Sequence, residues 1–137
     1  MNIIIINGPN LNLLGKRETS IYGNISFDDY LNTLRKEFSN IRINYYQSNI
    51  EGELINSLHN SNNNYDYILL NAGGYTHTSV AISDAIRAID TPVIEIHITN
   101  IYAREKFRQK SLLSSNCEAV VCGFGLDSYK CAIAAIK

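Results

Sequence analysis

The sequence predicts an α/β protein in which five parallel strands form a doubly wound, flavodoxin-like sheet with helices on both faces. Three observations support this fold class. Short runs rich in β-branched residues begin at residues 2, 42, 67, 93 and 119. Stretches with helical periodicity separate these runs, and units of that size connect strands that lie parallel. The runs Ile3–Ile6 and Ile68–Leu70 are apolar without alternation, as expected of strands covered on both faces.

The predicted strands are these β-branched runs, which recur with a nearly constant step after the second one. Their bounds are Asn2–Ile6, Arg42–Gln47, Tyr67–Leu70, Val93–Ile98 and Ala119–Cys122.

The predicted helices lie between the strands and follow from apolar residues spaced about 3.6 residues apart. Ser26 caps the first helix, with Asp29 three residues further on. Asp127 or Ser128 caps the last one, which runs through Tyr129–Ile136. The apolar faces of the first three helices are Phe27, Tyr30, Leu31, Leu34 and Phe38; Leu54, Ile55 and Leu58; and Ala81, Ile82, Ala85, Ile86 and Ile89.

The segment Gly8–Asn24 makes the first step between strands about 14 residues longer than the later ones. Loops of this length are usually functional or disordered. This one contains aliphatic side chains at Leu11, Leu13, Leu14 and Ile21, so we expect it to close over a site.

Composition and charge exclude several classes of partner. The 137 residues suit one domain, 1–137, and the formal net charge of −1 provides no broad attraction to nucleic acid or to an anionic membrane. No apolar run is long enough for a membrane span. The cysteines Cys117, Cys122 and Cys131 lack C-x-x-C spacing, which favours reduced thiols and a cytoplasmic location.

Polar residues at strand ends are candidate site residues, because ligands of an open parallel sheet bind beyond the carboxyl ends of its strands. Glu95, His97 and Thr99 alternate along the fourth strand and therefore share one face. A buried Glu95 beside His97 indicates either a structural pair or a histidine whose tautomer and basicity are set for acid–base catalysis. His77, after the third strand, is either an ordinary loop histidine or a further site residue. His59, late in a helix, is expected at the surface.

Three arginines are candidates for binding an anion. Arg104 and Arg108 stand four residues apart just past the fourth strand, a spacing that places them on one helix face. They belong either to a solvated helix or, together with Arg17 of the long loop, to a cluster that binds a carboxylate or a developing negative charge. Such positive charges lower the pKa of a nearby tyrosine, and Tyr22 is the candidate.

The spacing of the candidate residues does not match known metal-binding or nucleotide-binding motifs. The Gly123-Phe-Gly125 turn lacks the rest of a dinucleotide fingerprint, and the chain has no P-loop pattern. No H-x-x-x-H or Cys/His cluster accompanies Glu95, His97, His77 and Asp84, so no metal is expected.

Four blocks of sequence, in order along the chain, resemble the type II 3-dehydroquinate dehydratases. The blocks are NGPNLNLLGKR at 7–17, followed by Tyr22 and Gly23; YQSNIEGELI at 46–55; NAGGYTHTS at 71–79; and EIHITNIYAREKFR at 95–108. The resemblance covers essentially the whole chain. The chain departs from the family at three positions, because Thr19 stands where the family usually has Pro, and Ile50 and Tyr102 stand where His is common.

The resemblance implies an activity without a cofactor: the anti elimination of water from 3-dehydroquinate, through an enolate, to give 3-dehydroshikimate in the shikimate pathway. By this resemblance Tyr22 is the base that removes the C2 proton, and Arg17 keeps its phenolate accessible. His97, oriented by Glu95, protonates the departing C1 hydroxyl. Asn10 helps to hold a water that stabilises the enolate.

The resemblance also implies which residues bind the substrate. Asn71 and the backbone amides of Ile98 and Thr99 take the carboxylate. The other implied residues are His77 and Arg108 for the ring hydroxyls, Arg104 for positive field near the lid, and Asp84 from a neighbouring subunit. The family forms trimers that assemble into homododecamers, and we expect the same here. The alternatives are a catalytically silent module that binds a small carboxylate and a flavodoxin-like FMN carrier.

Overall fold

The computed structural model describes residues 1–16, 20 and 23–137, which contain a five-stranded sheet. Neighbouring strands are parallel, and the sheet order is β2-β1-β3-β4-β5. This is the flavodoxin-like order, so the predicted fold class is confirmed. The strands are Asn2–Asn7 (β1), Arg42–Gln47 (β2), Tyr67–Asn71 (β3), Val93–His97 (β4) and Ala119–Cys122 (β5).

Four α-helices accompany the sheet in the described part of the chain: Phe27–Glu37 (α1), Glu51–Ser61 (α2), Val80–Ala88 (α3) and Asp127–Ile136 (α4). Ser26 Oγ accepts a hydrogen bond from the backbone N–H of Asp29 at 3.2 Å, which confirms the predicted cap of α1.

The predicted cap of α4 was wrong. The helix begins at Asp127 without a side-chain cap. The Ser128 hydroxyl instead accepts from the backbone N–H of Phe124 at 3.1 Å, and the Asp127 carboxylate accepts from the Tyr30 hydroxyl at 3.2 Å. Both side chains are therefore engaged in contacts other than the helix terminus.

Two apolar layers enclose the sheet, one on each face. Ile3 and Ile5 of β1 pack in the layer that contains α1 and α4, whereas Ile4 and Ile6 pack in the layer that contains α2 and α3. Burial on both faces explains why this strand is apolar without alternation. Ala81 is exposed, contrary to the prediction, because the buried stripe of α3 starts at Ile82.

The chain beyond β4 forms short 3₁₀ turns where the arginine spacing predicted an α-helix. The turns are Ile101–Ala103 and Lys106–Gln109. Arg104 lies between them with an extended backbone, so the prediction that it shares a helix face with Arg108 was wrong.

The long segment after β1 is only partly described, and its described residues do contribute to the interior. It contains a 3₁₀ turn at Leu11–Leu13, and Leu11 and Leu14 are buried. Leu13 is exposed, contrary to the prediction, and Ile21 lies outside the described residues.

Gly8 allows the ends of β1 and β3 to meet closely. Its backbone N–H donates to the Asn71 carbonyl at 2.7 Å, and a Cβ at this position would lie 2.6 Å from the Ala72 carbonyl oxygen. Only a residue without a side chain fits such an approach. Asn7 and Asn71, which are register partners, therefore end their strands side by side.

None of the helices in the described residues has the length and apolar character needed to cross a bilayer.

Candidate active site

A cavity of about 150 Å³ lies beyond the carboxyl ends of β1, β3 and β4, where a doubly wound sheet binds its ligands. Leu11 and Leu14 of the long segment form part of its apolar wall, in agreement with the prediction that this segment covers a site. Most of the predicted site residues line the cavity, namely Asn10, Asn71, His77, His97, Ile98, Thr99, Arg104 and Arg108.

His97 and Glu95 form a buried pair at the end of β4. His97 Nε2 lies 2.5 Å from Glu95 Oε2, and the two residues are 6% and 1% exposed. Burial by itself acts to raise the pKa of Glu95, but the hydrogen bonds from His97, Ser114 and Ser111 outweigh burial and hold that pKa below its ordinary value. Glu95 is therefore a carboxylate at neutral pH.

The ionised carboxylate determines which ring nitrogen of His97 carries a hydrogen. A carboxylate only accepts hydrogen bonds, so Nε2 is the protonated nitrogen of the neutral ring. Nδ1 is then the ring nitrogen of His97 that remains available to a molecule in the cavity. When Nδ1 also takes a proton, the charge of Glu95 stabilises the imidazolium.

His77 stands beside His97 on the cavity wall. The ring centroids are 6.4 Å apart and the planes differ by 22°. His77 Nδ1 donates to the backbone carbonyl of Lys110 at 2.8 Å. This contact fixes the tautomer of a neutral His77 with its hydrogen on Nδ1, which leaves Nε2 as a hydrogen-bond acceptor.

A buried polar network holds the Asn71 side chain in place. Its Oδ1 accepts from the backbone N–H of Gly73 at 3.2 Å, and its Nδ2 donates to the Tyr129 hydroxyl at 2.9 Å. That hydroxyl donates in turn to Asn7 Oδ1 at 2.7 Å. Burial raises the pKa of Tyr129 above its ordinary value, so its hydroxyl stays neutral and remains a donor. Within the described part of the chain, the second hydrogen of the Asn71 amide has no partner and is available to a ligand.

Arg104 and Arg108 reach the same cavity from separate turns. Arg108 Nε donates to Glu105 Oε2 at 2.8 Å, and Arg104 Nε lies 3.8 Å from Glu105 Oε1. The hydrogen bond from Arg108 is the main reason that the pKa of the exposed Glu105 lies below its ordinary value. Arg104 and Arg108 thus line one cavity without forming the predicted helix, and Arg17, the third arginine of the predicted cluster, lies outside the described residues.

Asn10 enters the cavity wall through an unusual backbone conformation. Its φ of 69° is left-handed, which Asn tolerates better than most residues. Its backbone N–H donates to Asn49 Oδ1 at 3.0 Å.

Of the remaining predicted site residues, Asp84 lies away from the cavity, and two lie outside the part of the chain that the structure describes. Asp84 is exposed on α3 and forms an ion pair with Arg87 at 3.0 Å. Arg17 and Tyr22, like Thr19, lie outside the described residues. His59 is exposed, as predicted.

Sequence reasoning missed Ser111, Ser114 and Tyr129. Each is a hydroxyl that bonds to a site residue from a distant part of the chain: the two serines to Glu95, and Tyr129 to Asn71. For the serines, the sequence gives only a weak signal, because Ser111 and Ser114 are polar residues on either side of the apolar Leu112 and Leu113.

One protein family matches this chain along its full length. The family described as "Dehydroquinase class II" matches residues 1–137. The chain belongs to this family. Ile50 and Tyr102, where it departs from the common dehydroquinase pattern, are exposed and do not line the cavity.

Individual dehydroquinase relatives show the same similarity over nearly the full chain. A protein named 3-dehydroquinate dehydratase from Buchnera aphidicola subsp. Baizongia pistaciae is 53% identical over 130 residues, which cover 93% of this chain and 84% of the relative. One of the same name from Buchnera aphidicola subsp. Acyrthosiphon pisum is 51% identical, with 100% and 93% covered. The crystal structure of type II dehydroquinase from Butyrivibrio crossotus has a TM-score of 0.94 at 41% identity, with 98% and 96% covered.

Proposed function

We propose that this chain is a type II 3-dehydroquinate dehydratase, a hydro-lyase that converts 3-dehydroquinate into 3-dehydroshikimate. The observation that carries the proposal is the buried His97–Glu95 pair, which opens into a cavity lined by amide, imidazole and guanidinium groups. Membership of the dehydroquinase family and the names of the relatives support it.

The first step is removal of the C2 proton, which is acidic because C2 is next to the C3 ketone. We assign this step to the phenolate of Tyr22, with Arg17 keeping the phenolate accessible. The C2 electron pair moves into the carbonyl, and an enolate forms. A water held by Asn10 donates a hydrogen bond to the enolate oxygen, because preorganised donors stabilise charge that develops in the transition state.

The second step is loss of the C1 hydroxyl from the opposite face. The enolate electrons return to form the C1–C2 double bond as the C1–O bond breaks. Hydroxide is a poor leaving group, so it departs as water with a proton from Nδ1 of the His97 imidazolium. Glu95 stabilises that imidazolium and orients the ring. Solvent exchange then returns the proton from Tyr22 to His97, and the site is ready for another turnover.

Substrate binding uses the remaining groups. The free hydrogen of the Asn71 amide and the backbone amides of Ile98 and Thr99 hold the carboxylate, and His77 and Arg108 hold the ring hydroxyls. Arg104 adds positive field near the anionic substrate.

Assembly is part of the proposal because Asp84 is exposed on the surface of its own subunit. We propose that Asp84 completes a neighbouring subunit's site in a trimer, and that trimers form a homododecamer. The product places the enzyme in the shikimate pathway that leads to aromatic compounds, and the proposed location is the cytoplasm.

The test is incubation of the purified chain with 3-dehydroquinate while the ultraviolet absorbance of the conjugated enone product is followed. Turnover is expected in the wild type. In Tyr22→Phe and His97→Ala it should fall to a small fraction of the wild-type rate, while substrate should still raise the melting temperature of both variants. Substrate binding without turnover in the wild type would instead favour a silent binding module. Borohydride with substrate should leave activity intact, because no lysine imine forms.

A further inference from the structure

The segment from Lys110 to Ser114 contacts both histidines of the site. The Lys110 carbonyl accepts from His77 Nδ1, while the hydroxyls of Ser111 and Ser114 bond to Glu95, the partner of His97. Leu113 anchors the segment, because it is fully buried in the layer between the sheet and helices α2 and α3.

The two oxygens of Glu95 have separate partners. Oε1 accepts from Ser111 Oγ at 3.0 Å and from Ser114 Oγ at 2.7 Å, whereas Oε2 faces His97 Nε2. With Oε1 held from two directions, the plane of the carboxylate is fixed and Oε2 is aimed at the imidazole. A carboxylate held by the histidine alone could rotate and offer either oxygen.

The direction of the Ser111 hydroxyl hydrogen is also determined. Ser111 Oγ accepts from the backbone N–H of Leu113 at 3.0 Å and from that of Ser114 at 3.2 Å. A hydroxyl has two acceptor lone pairs and one donor hydrogen. With both lone pairs engaged, the hydrogen points to Glu95.

We propose that Ser111 and Ser114 are positioning residues which hold Glu95 ionised and aimed at His97 Nε2, and so keep His97 Nδ1 turned to the substrate. This inference rests on the proposed dehydration. It assigns the acid step to a unit of four side chains in which only His97 touches the substrate.

Among the described residues, the titratable groups in contact with the Glu95 carboxylate are His97 and Cys117. The Cys117 thiol lies 4.0 Å from Glu95 Oε1, but burial and the charge of Glu95 raise the pKa of Cys117 to about 12, so this thiol stays neutral. The register neighbours of Glu95 on β3 and β5 are apolar. Arg104 and Arg108 line the cavity that His97 also lines, whereas Glu95 does not line it. Removing the serine donors therefore makes Glu95 protonate at higher pH and moves the acid limb of kcat/KM toward neutral pH.

The variant that tests the proposal most cleanly is Ser114→Ala, because Ser111→Ala also removes the acceptor of two backbone N–H groups and can disturb the turn. A hydrogen bond to a charged group corresponds to a factor of about 10 to 100. We expect kcat to fall about tenfold, KM to stay within about twofold and the acid limb to move up. Ser114→Thr retains the hydroxyl and should restore wild-type behaviour.

Ser83→Ala is the matched control. Ser83 Oγ donates to the Leu112 carbonyl at 2.8 Å, so it anchors the same segment without touching Glu95. If the segment acts only as a structural support, Ser83→Ala will reproduce the kinetic defect, and the proposal is overturned.

A second readout does not depend on turnover. The chain has three histidines, so ¹⁵N spectra of its imidazoles are simple to assign. His97 should show one tautomer with hydrogen on Nε2 in the wild type, and a mixture in Ser114→Ala. Unchanged His97 signals together with an unchanged pH profile in Ser114→Ala would overturn the inference. A third outcome separates the two proposals. If the wild type shows no turnover but Ser114→Ala still changes the His97 tautomer, the proposed function is contradicted and the positioning role stands.

Discussion

Glu95→Gln isolates the charge that His97 depends on. Glutamine has the same shape, and its amide oxygen can still accept from Ser111 and Ser114. The amide nitrogen then faces His97 Nε2, where the wild-type distance to Oε2 is 2.5 Å. Two donors cannot share that contact, so the imidazole loses its Nε2–H tautomer, and the imidazolium loses its counter-charge.

The size of the effect follows from the burial of the pair, with Glu95 1% exposed. Two unit charges about 4 Å apart interact by about 4 kcal/mol at an effective dielectric constant of about 20. Because 1.36 kcal/mol in the barrier is about tenfold in rate, kcat should fall by about 10³. KM should change little, because Glu95 lies behind His97 and does not line the cavity.

The assay is the steady-state rate of enone formation across pH, with thermal unfolding as the check on folding. Glu37→Gln is the matched control, because Glu37 forms an exposed ion pair with Lys130 at 2.8 Å, far from this chemistry. Exposed pairs contribute only about 0–1 kcal/mol, so this control should keep wild-type kcat. A folded Glu95→Gln with kcat within tenfold of wild type would refute the assigned role of the pair.

Three further predictions concern stability and binding. The pKa of Glu95 is lowered from 4.5, so its ionised form stabilises the fold above pH 4.5, and that contribution is lost as pH falls through the lowered value. Acid unfolding should show this loss in the wild type and not in Glu95→Gln. The same pH dependence of unfolding in both proteins would contradict this prediction. Tyr129→Phe removes the hydroxyl between two buried asparagines, so the free energy of unfolding should fall by about 1–3 kcal/mol and KM should rise, as denaturant titration and kinetics will check. Gly8→Ala places a Cβ 2.6 Å from the Ala72 carbonyl oxygen and should lower the free energy of unfolding by about 1–3 kcal/mol. Gly52→Ala, in open space on α2, is the control and should raise it by about 0.5–1 kcal/mol. Equal melting temperatures for the two variants would contradict the close approach of Gly8 to Ala72.

The strands were predictable because burial on both faces selects uninterrupted apolar runs. β1 and β3 each extend one residue beyond the prediction, to Asn7 and Asn71. These amides end apolar strands because a buried tyrosine hydroxyl satisfies them, and that partner lies on α4, far along the chain. Residue patterns cannot show such a contact.

The residues of the site also fall into those that the sequence predicts and those that it does not. Glu95 and His97 could be predicted as a pair, because alternation along a strand places them on one face. Ser111 and Ser114 could not, because their contacts with Glu95 depend on how the chain turns back after β4. The arginine prediction failed in the same region, because a spacing of four residues does not show that the extended backbone of Arg104 interrupts the chain between two 3₁₀ turns.

The most direct test of the central claim uses 3-dehydroquinate that carries deuterium at the C2 position anti to the C1 hydroxyl. Anti elimination, with the base and His97 on opposite faces of the ring, predicts 3-dehydroshikimate without deuterium and a slower rate than with unlabelled substrate. Product that retains the deuterium, or no product from a correctly folded chain, would contradict the proposed chemistry.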